Sequence, residues 1–254
     1  MIIYFSGTGN SSFVAHELAN LLVEKNLTHL KGEMLFDPLK CRLSTDDNRI
    51  IWIFPTYSWG VPPAVRRFMT EAEIEGAERA VHYMVTTCGD DIGETALQWR
   101  RIMKRRKWLI GNAYSVTMPN TYVLMKGFDV DTKEIADKKL TDAPATIRMI
   151  AERIRSGEPG DLVIKGSWAK IKSRIINPYF VRFCMSPKPF RPNGRCIGCG
   201  KCTKECPMDN ITMSEDRPTW HNRCALCLRC YHVCPYKAVD YGNATKDKGR
   251  YFLE

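Results

Sequence analysis

"FSGTGNSS" (residues 5–12) follows the apolar run of residues 2–5 and leads into a stretch with Val14, Leu18, Leu21 and Leu22 on one helical face. A strand that passes through a glycine-rich turn into a helix is built to hold phosphate. The turn's amides and the positive end of the helix dipole converge on one point. Neither common nucleotide template fits. G-x₄-G-K-[ST] needs a lysine after the glycines, and none is present. G-x-G-x-x-G is met by Gly7 and Gly9, but Ser12 stands where the third glycine belongs. What remains is a set of backbone N–H groups and several hydroxyls around a single phosphomonoester, which neutral donors can hold without a cationic clamp.

Outward from this turn, strand and helix patterns alternate over roughly the first 155 residues. Strands are expected at 2–5, weakly at 34–36, at 49–57 as a central buried strand, at 80–87 and at 109–119. A helix starts near Pro62 and Pro63, a basic helix follows the fourth strand, and a last one covers 141–155. Ala143, Ile147, Ile150 and Ile154 give that last helix its apolar face, with Pro144 near its start. The alternation predicts an α/β doubly wound parallel sheet. The segment before the last helix, "NTYVLMKGFDVDTKE", is long for a connection and is a candidate lid.

The turn resembles the flavodoxin phosphate loop, (S/T)-x-T-G-N-(T/S), which holds flavin mononucleotide (FMN). The matching residues are Ser6, Thr8, Gly9, Asn10, Ser11 and Ser12, with Gly7 between them. The resemblance implies a flavodoxin-like sheet of order 2-1-3-4-5 and an FMN site against the loops after strands three and four. Those loops carry Pro55, Thr56, Tyr57, Trp59 and Gly60, and then Cys88, Gly89 and Asp90. Trp59, with Tyr57 second, is the expected platform for the flavin ring; packing at a strand end is the alternative. Many flavodoxins place an aromatic in the second loop, but here the next aromatic is Trp99. One flavin face is therefore open, or covered by Tyr122, Met125 or Phe128. An open face admits a substrate; a covered one favours electron transfer alone.

The chain of 254 residues contains 11 cysteines, and eight of them lie in "CIGCGKCTKECP" (196–207) and "CALCLRCYHVCP" (224–235). Each run is C-x₂-C-x₂-C-x₃-C-P, and three thiolates at x₂ spacing present three sulfurs from one short loop to three irons of a cube. Zinc sites use separated C-x₂₋₄-C pairs instead. The runs resemble those of bacterial ferredoxins with two [4Fe–4S] clusters, in which the fourth cysteine serves the other cluster. Carried over, the resemblance implies Cys196, Cys199, Cys202 and Cys234 at one cluster. It implies Cys224, Cys227, Cys230 and Cys206 at the other. Cys41, Cys88 and Cys184 read as ordinary thiols, and His221 and His232 as bystanders. The first residues lack a basic n-region and no apolar run reaches membrane-spanning length, so a cytoplasmic protein without a membrane span is expected.

The formal net charge is +10, concentrated at residues 100–107 and 165–191. The first run is the solvated back of an amphipathic helix that turns Ile92, Ala96, Trp99 and Met103 inward. No nucleic-acid-reading motif accompanies the charge, so the expected partner is a redox protein, an acidic ferredoxin or an oxidoreductase, rather than nucleic acid. The divisions expected are a flavodoxin-like domain at 1–156, a linker with a docking helix at 157–186, a ferredoxin domain at 187–242 and a polar tail at 243–254. Trp168, Tyr179, Phe180 and Phe183 are expected to dock the two domains. The two halves together resemble flavodoxin–ferredoxin fusions, which implies electron transfer between the clusters, FMN and a redox partner. Two alternatives stay open: a flavin-dependent reductase taking protons from His82, Asp90, Asp91 or Tyr122, and a redox-responsive binding protein using the basic surfaces.

Overall fold

The computed structural model describes residues 1–253. The first seven strands are β1 (Ile2–Tyr4), β2 (Leu27–His29), β3 (Arg42–Ser44), β4 (Arg49–Pro55), β5 (Glu73–Glu75), β6 (Val81–Cys88) and β7 (Leu109–Thr117). Five of them form a parallel sheet in the order β2-β1-β4-β6-β7, while β3 and β5 pair separately. Counting only the strands of that sheet, the order is 2-1-3-4-5, the flavodoxin-like arrangement that the sequence implied. The interior strand β4 reads RIIWIFP and is buried on both faces, as a parallel sheet covered twice requires. Trp52 and Phe54 enter the core on the side of α3 (Pro63–Glu71) and α4 (Thr95–Arg106). Ile51 and Ile53 enter the opposite core, with α1 (Asn10–Leu22) and α5 (Lys133–Ser156).

Two expectations shift. The second strand is β2, and the apolar trio 34–36 lies instead in a one-turn helix, α2 (Glu33–Phe36). The last helix begins two turns before 141, at Lys133, with Pro144 inside it. Its early turns are polar and are braced by i,i+4 pairs such as Lys138–Asp142 at 2.9 Å, which apolar periodicity does not register. The segment after it also gains structure. Leu162 adds a short parallel edge to β7, its N–H donating to the Ala113 carbonyl and its carbonyl accepting from the Ser115 N–H, both at 3.0 Å.

The C-terminal part holds two antiparallel pairs, β8 (Phe190–Pro192) with β11 (Val239–Tyr241) and β9 (Ile211–Ser214) with β10 (Arg217–Trp220). One short helix lies inside each cysteine run, Lys201–Lys204 and Arg229–His232. The two halves interpenetrate. Met208 and Ala225 enter the core under α3 and α4, while Val123 and Leu124 enter the ferredoxin core beside Phe180 and Phe190. The segment expected as a lid is thus a clamp: of its large apolar side chains only Met125 and Phe128 point outward, each 45% exposed. The tail is ordered as well. Its Leu253 N–H donates to the Thr8 carbonyl at 2.9 Å, and its Tyr251 N–H to His232 Nδ1 at 3.2 Å.

His82 shows how tightly the sheet core is specified. The Trp52 indole N–H donates to His82 Nδ1 at 3.0 Å, which fixes the proton on Nε2, 2.8 Å from the Ala77 carbonyl. Burial, helped slightly by the charge of Arg106, lowers the His82 pKa from 6.5 to about 4. The unfolded chain then takes up this proton at a higher pH than the folded one does. The His82 contribution to stability is therefore present above about pH 6.5 and is lost as the pH falls toward 4, on the order of 3 kcal/mol in all. His82→Gln, which titrates nowhere in this window, is expected to flatten that part of a stability-versus-pH curve measured by urea unfolding. An unchanged slope would refute the assignment.

Candidate functional site

The phosphate turn leaves β1 and enters α1, where the amides of Asn10, Ser11 and Ser12 have no carbonyl four residues back to bond. The turn is braced from within: the Gly9 N–H donates to Ser6 Oγ at 3.2 Å, and Ser11 Oγ lies 2.8 Å from Thr87 Oγ1 on β6. Asn10 Nδ2 donates to the Pro119 carbonyl at 2.9 Å, and its Oδ1 is buried without a partner. A cavity of about 110 Å³ opens here, lined by Ser6, Gly7, Thr8, Asn10, Ser11, Pro55, Thr56, Tyr57, Thr87, Cys88 and Gly89. Pro119, Asn120, Thr121 and Tyr122 form a further wall, and Cys227 of the second cysteine run closes it.

Not every residue expected at a flavin reaches this cavity. Ser58 and Trp59 take left-handed φ values of 44° and 60°, which carry the Trp59 ring away from the cavity wall. Lys172 Nζ lies 5.0 Å from the centre of that ring, and Ser173 Oγ donates to the Trp59 carbonyl at 2.8 Å. Tyr57, the second choice, is the aromatic on the wall. Gly60 abuts the Asn177 side chain, Gly9 abuts Leu253, and Ser12 lies beside His16. Asp90 is exposed and Asp91 is held by Lys172 at 2.6 Å, while His82 is locked in the core; of the four candidate proton donors only Tyr122 lines the cavity. Cys88 does line it, but burial, with the charges of Asp91 and Asp90, pushes its thiol up to about 12, which keeps it protonated and unreactive. Asn120 and Thr121 of the wall belong to the segment expected as a lid, and Pro119 to the end of the strand expected at 109–119.

The eight run cysteines fall into two loose tetrads, in neither of which do three side chains converge tightly enough to hold a single metal ion. Cys196, Cys199, Cys202 and Cys234 line one cavity together with Gly198, Gly200 and Tyr236. Cys206 stands within electrostatic range of Cys224, Cys227 and Cys230, across the chain from its own run. Burial pushes the Cys224 thiol up to about 11 and that of Cys227 to about 12, the neighbouring thiols adding to the rise. Four buried thiols so close together are poor thiolates on their own, whereas iron deprotonates its ligands outright. N–H groups already point at the sulfurs: Leu226 to Cys224 and Ala238 to Cys234, both at 3.3 Å, and Asn210 to Cys206 and the Trp220 indole to Cys230, both at 3.4 Å. Such donors favour the charged thiolate and raise a cluster's potential. The residues flanking each middle cysteine, Gly198 and Gly200 in one run and Leu226 and Leu228 in the other, all have φ between 53° and 72°. The leucines hold this conformation at a cost of about 1–3 kcal/mol each, so the second loop has the same shape as the first despite its bulkier side chains.

One residue ties the tetrads to the phosphate turn. Arg229, inside the second run, donates to the Gly7 carbonyl at 3.0 Å and to Glu205 Oε2 at 2.9 Å, and its guanidinium lies 4.8 Å from the Phe252 ring centre. Gly7 itself is pressed so close to the Cys227 carbonyl that an added Cβ would lie 2.6 Å from it. His232, read as a bystander, bridges the clamp and the tail: its Nε2–H donates to the Thr121 carbonyl at 2.8 Å while Nδ1 accepts from Tyr251. Burial holds its pKa at about 4, so it is neutral in this role.

A family description, "4Fe-4S dicluster domain", matches residues 195–239. Over 46 residues the chain is 41% identical to a component of the ion-translocating oxidoreductase complex of Methanosarcina acetivorans, a match covering 18% of this chain and 17% of that protein. Among solved structures, a short-chain flavodoxin associated with a non-canonical PDU bacterial microcompartment is 14% identical with a TM-score of 0.37, covering 62% of this chain and 97% of that one. The Trp repressor binding protein of Bacillus subtilis is 13% identical with a TM-score of 0.33, covering 57% and 97%. The chain joins a flavodoxin-like domain, defined by its strand order, to a 4Fe-4S dicluster domain. Its iron–sulfur and flavodoxin-like features are those of electron transfer. Among the described residues, no helix is long and apolar enough to cross a membrane.

Proposed function

We propose that this chain transfers electrons between two [4Fe–4S] clusters and FMN, and exchanges them with a protein redox partner. The observation that carries the reading is the position of Cys227, which is at once a member of the second tetrad and a wall of the cavity under the phosphate turn. That tetrad is the inner one, adjoining the flavin site. The tetrad containing Cys199 is the outer one: Cys199 is exposed and the adjacent Ile197 is 60% exposed. Exposed Arg195, Lys201 and Lys237 surround it, a basic rim suited to an acidic electron-transfer protein. Clusters exchange single electrons and FMN one or two, so a cluster pair feeding a flavin converts one kind of traffic into the other.

The phosphate end of the cavity fits FMN. The opening amides of α1 and the hydroxyls of Ser6, Thr8 and Ser11 suit the phosphate, and the unpartnered Asn10 Oδ1 suits a ribityl hydroxyl. The ring end is tight. Sites for ligands of this size hold about 300 Å³ or more, against about 110 Å³ here, so the ring enters only when Tyr57, Asn120 or Tyr122 turns aside. Anaerobic reductive titration of the purified protein followed by absorption spectroscopy tests the reading. Resolved flavin bands reducing in steps separate from the broad iron–sulfur absorbance are expected. Iron–sulfur absorbance alone, even after addition of FMN, would reduce the first domain to a scaffold for the clusters.

A further inference from the structure

The helical run over residues 169–184 is amphipathic in the opposite sense to a normal surface helix. Its inward contacts are polar. Ser173 Oγ accepts from the Glu94 N–H at 2.7 Å, Asn177 Nδ2 donates to the Tyr57 carbonyl at 3.0 Å, and Arg174 pairs with Glu94 at 2.6 Å. Phe180 alone is buried in a core, with Val181 and Cys184 packed against it at the end of the run. The outward face carries Trp168, Ile171, Ile175, Tyr179 and Phe183, with Trp168 74%, Ile175 65% and Phe183 66% exposed. These residues repeat at a spacing of three and then four. Two π-type stretches, Lys172–Ile176 and Phe180–Cys184, widen the turns, so every fourth residue returns to the same side and the stripe stays in line. Except for Phe180, the aromatics expected to join the domains therefore face solvent. They could not do otherwise, because Ser173 and Asn177 hold the other side of the helix against the loop after β4.

We propose that this stripe seats the protein on an anionic lipid surface. The run is roughly 24 Å long, too short to cross a bilayer, but of the right kind to lie in the interface with tryptophan, isoleucine and phenylalanine among the acyl chains. The charge agrees. Lys165, Lys170 and Arg182 flank the stripe and have no carboxylate within ion-pair distance among the described residues, whereas Lys172 and Arg174 are already paired. Cations free beside an exposed apolar stripe are what an anionic headgroup layer attracts. A second copy of the chain fits poorly, since pairing the stripes would set these cations against one another. The stripe is one line of large side chains along a helix, the Tyr179 and Phe183 rings 5.1 Å apart, which a fluid acyl layer accommodates. This inference stands independently of what the cavity under the phosphate turn binds.

The test is sedimentation of the cluster-loaded protein with vesicles of phosphatidylcholine alone or mixed with phosphatidylglycerol, together with tryptophan emission. Binding to the mixed vesicles with a blue shift from Trp168 is expected. Lys170→Glu with Arg182→Glu weakens that binding about tenfold or more, and Ile175→Asp with Phe183→Asp abolishes it. Both variants keep the wild-type circular dichroism and iron content, because these side chains touch neither tetrad. Trp168→Tyr removes the blue shift while retaining most of the binding. Equal sedimentation with the two vesicle types, binding unaffected by the paired variants, or a dimer that shields Trp168 without lipid would each overturn the proposal. Stripe-dependent capture of an acidic protein with no vesicle binding would overturn it too.

Discussion

Cys206→Ala combined with Cys224→Ala is expected to cost no more iron than either change alone, about half of the total. Cys206→Ala combined with Cys202→Ala removes nearly all of it. The two double variants differ by a single partner, and the difference follows from which thiols the fold gathers. Cys206 lies in the first run by sequence, yet the thiols that act on it and on which it acts are those of Cys224, Cys227 and Cys230. Cys234 correspondingly closes the cavity formed by Cys196, Cys199 and Cys202. Once one ligand of a cluster is gone, losing a second ligand of the same cluster changes little. Losing one ligand from each empties both sites. Iron and acid-labile sulfide per chain, with electron paramagnetic resonance of the reduced protein, measure this directly. If each run instead filled its own cluster, the results of the two double variants would be exchanged.

Gly9→Ala is the second large effect. Gly9 opens α1 with φ of 99°, and an added Cβ would meet the Leu253 carbonyl oxygen at 1.8 Å. The backbone conformation alone costs a side chain about 1–3 kcal/mol, and the clash forces the tail off the turn, breaking the bond from Leu253 to Thr8. Gly157→Ala is the control, with φ of 67° and open space around its Cβ. Denaturant unfolding is expected to show a clearly larger loss for Gly9→Ala than for Gly157→Ala. Limited proteolysis should cut residues 243–253 faster in the Gly9 variant only. Equal losses and equal cutting would mean that the tail does not rest on the turn.

What was legible in the sequence was local. Each cysteine run carries its four cysteines within 11 residues, and the phosphate turn carries its glycines and hydroxyls within eight. That the sheet is parallel followed from the alternation of strand and helix, because parallel strands need crossovers; its order came from the resemblance of the turn to the flavodoxin loop. The features missed depend on residues far apart in the chain. Trp59 has the right type and place for a ring platform, but two left-handed residues and a lysine 113 positions later in the sequence decide where its ring goes. Arg229 counts as one more surface cation until the Gly7 carbonyl, 222 residues away, is seen to accept from it. The tail has no periodicity to read, since it is held by single contacts, the Leu253 N–H to the Thr8 carbonyl, the Tyr251 N–H to His232 and the Phe252 ring to Arg229. Even the stripe on residues 168–183 was visible as a row of large apolar side chains, but which way it faces was set by Ser173 and Asn177.

The closure of the phosphate turn by Arg229 and Leu253 also sets an order of events in time. A chain made from its N-terminus exposes β1, the turn and α1 first, and the flavodoxin-like sheet can form once α5 has emerged. The residues that cover the turn come roughly a hundred positions later, and at 5–20 residues per second that interval lasts about 5–20 s. During it the cavity lacks its Cys227 wall and the tail is not yet made, so the phosphate turn is open on a side that is later covered. Cys227, Arg229 and Leu253 then come to cover the turn from that side. If FMN fills the cavity as proposed, its phosphate has an open route to the turn in those seconds and a narrower one afterwards.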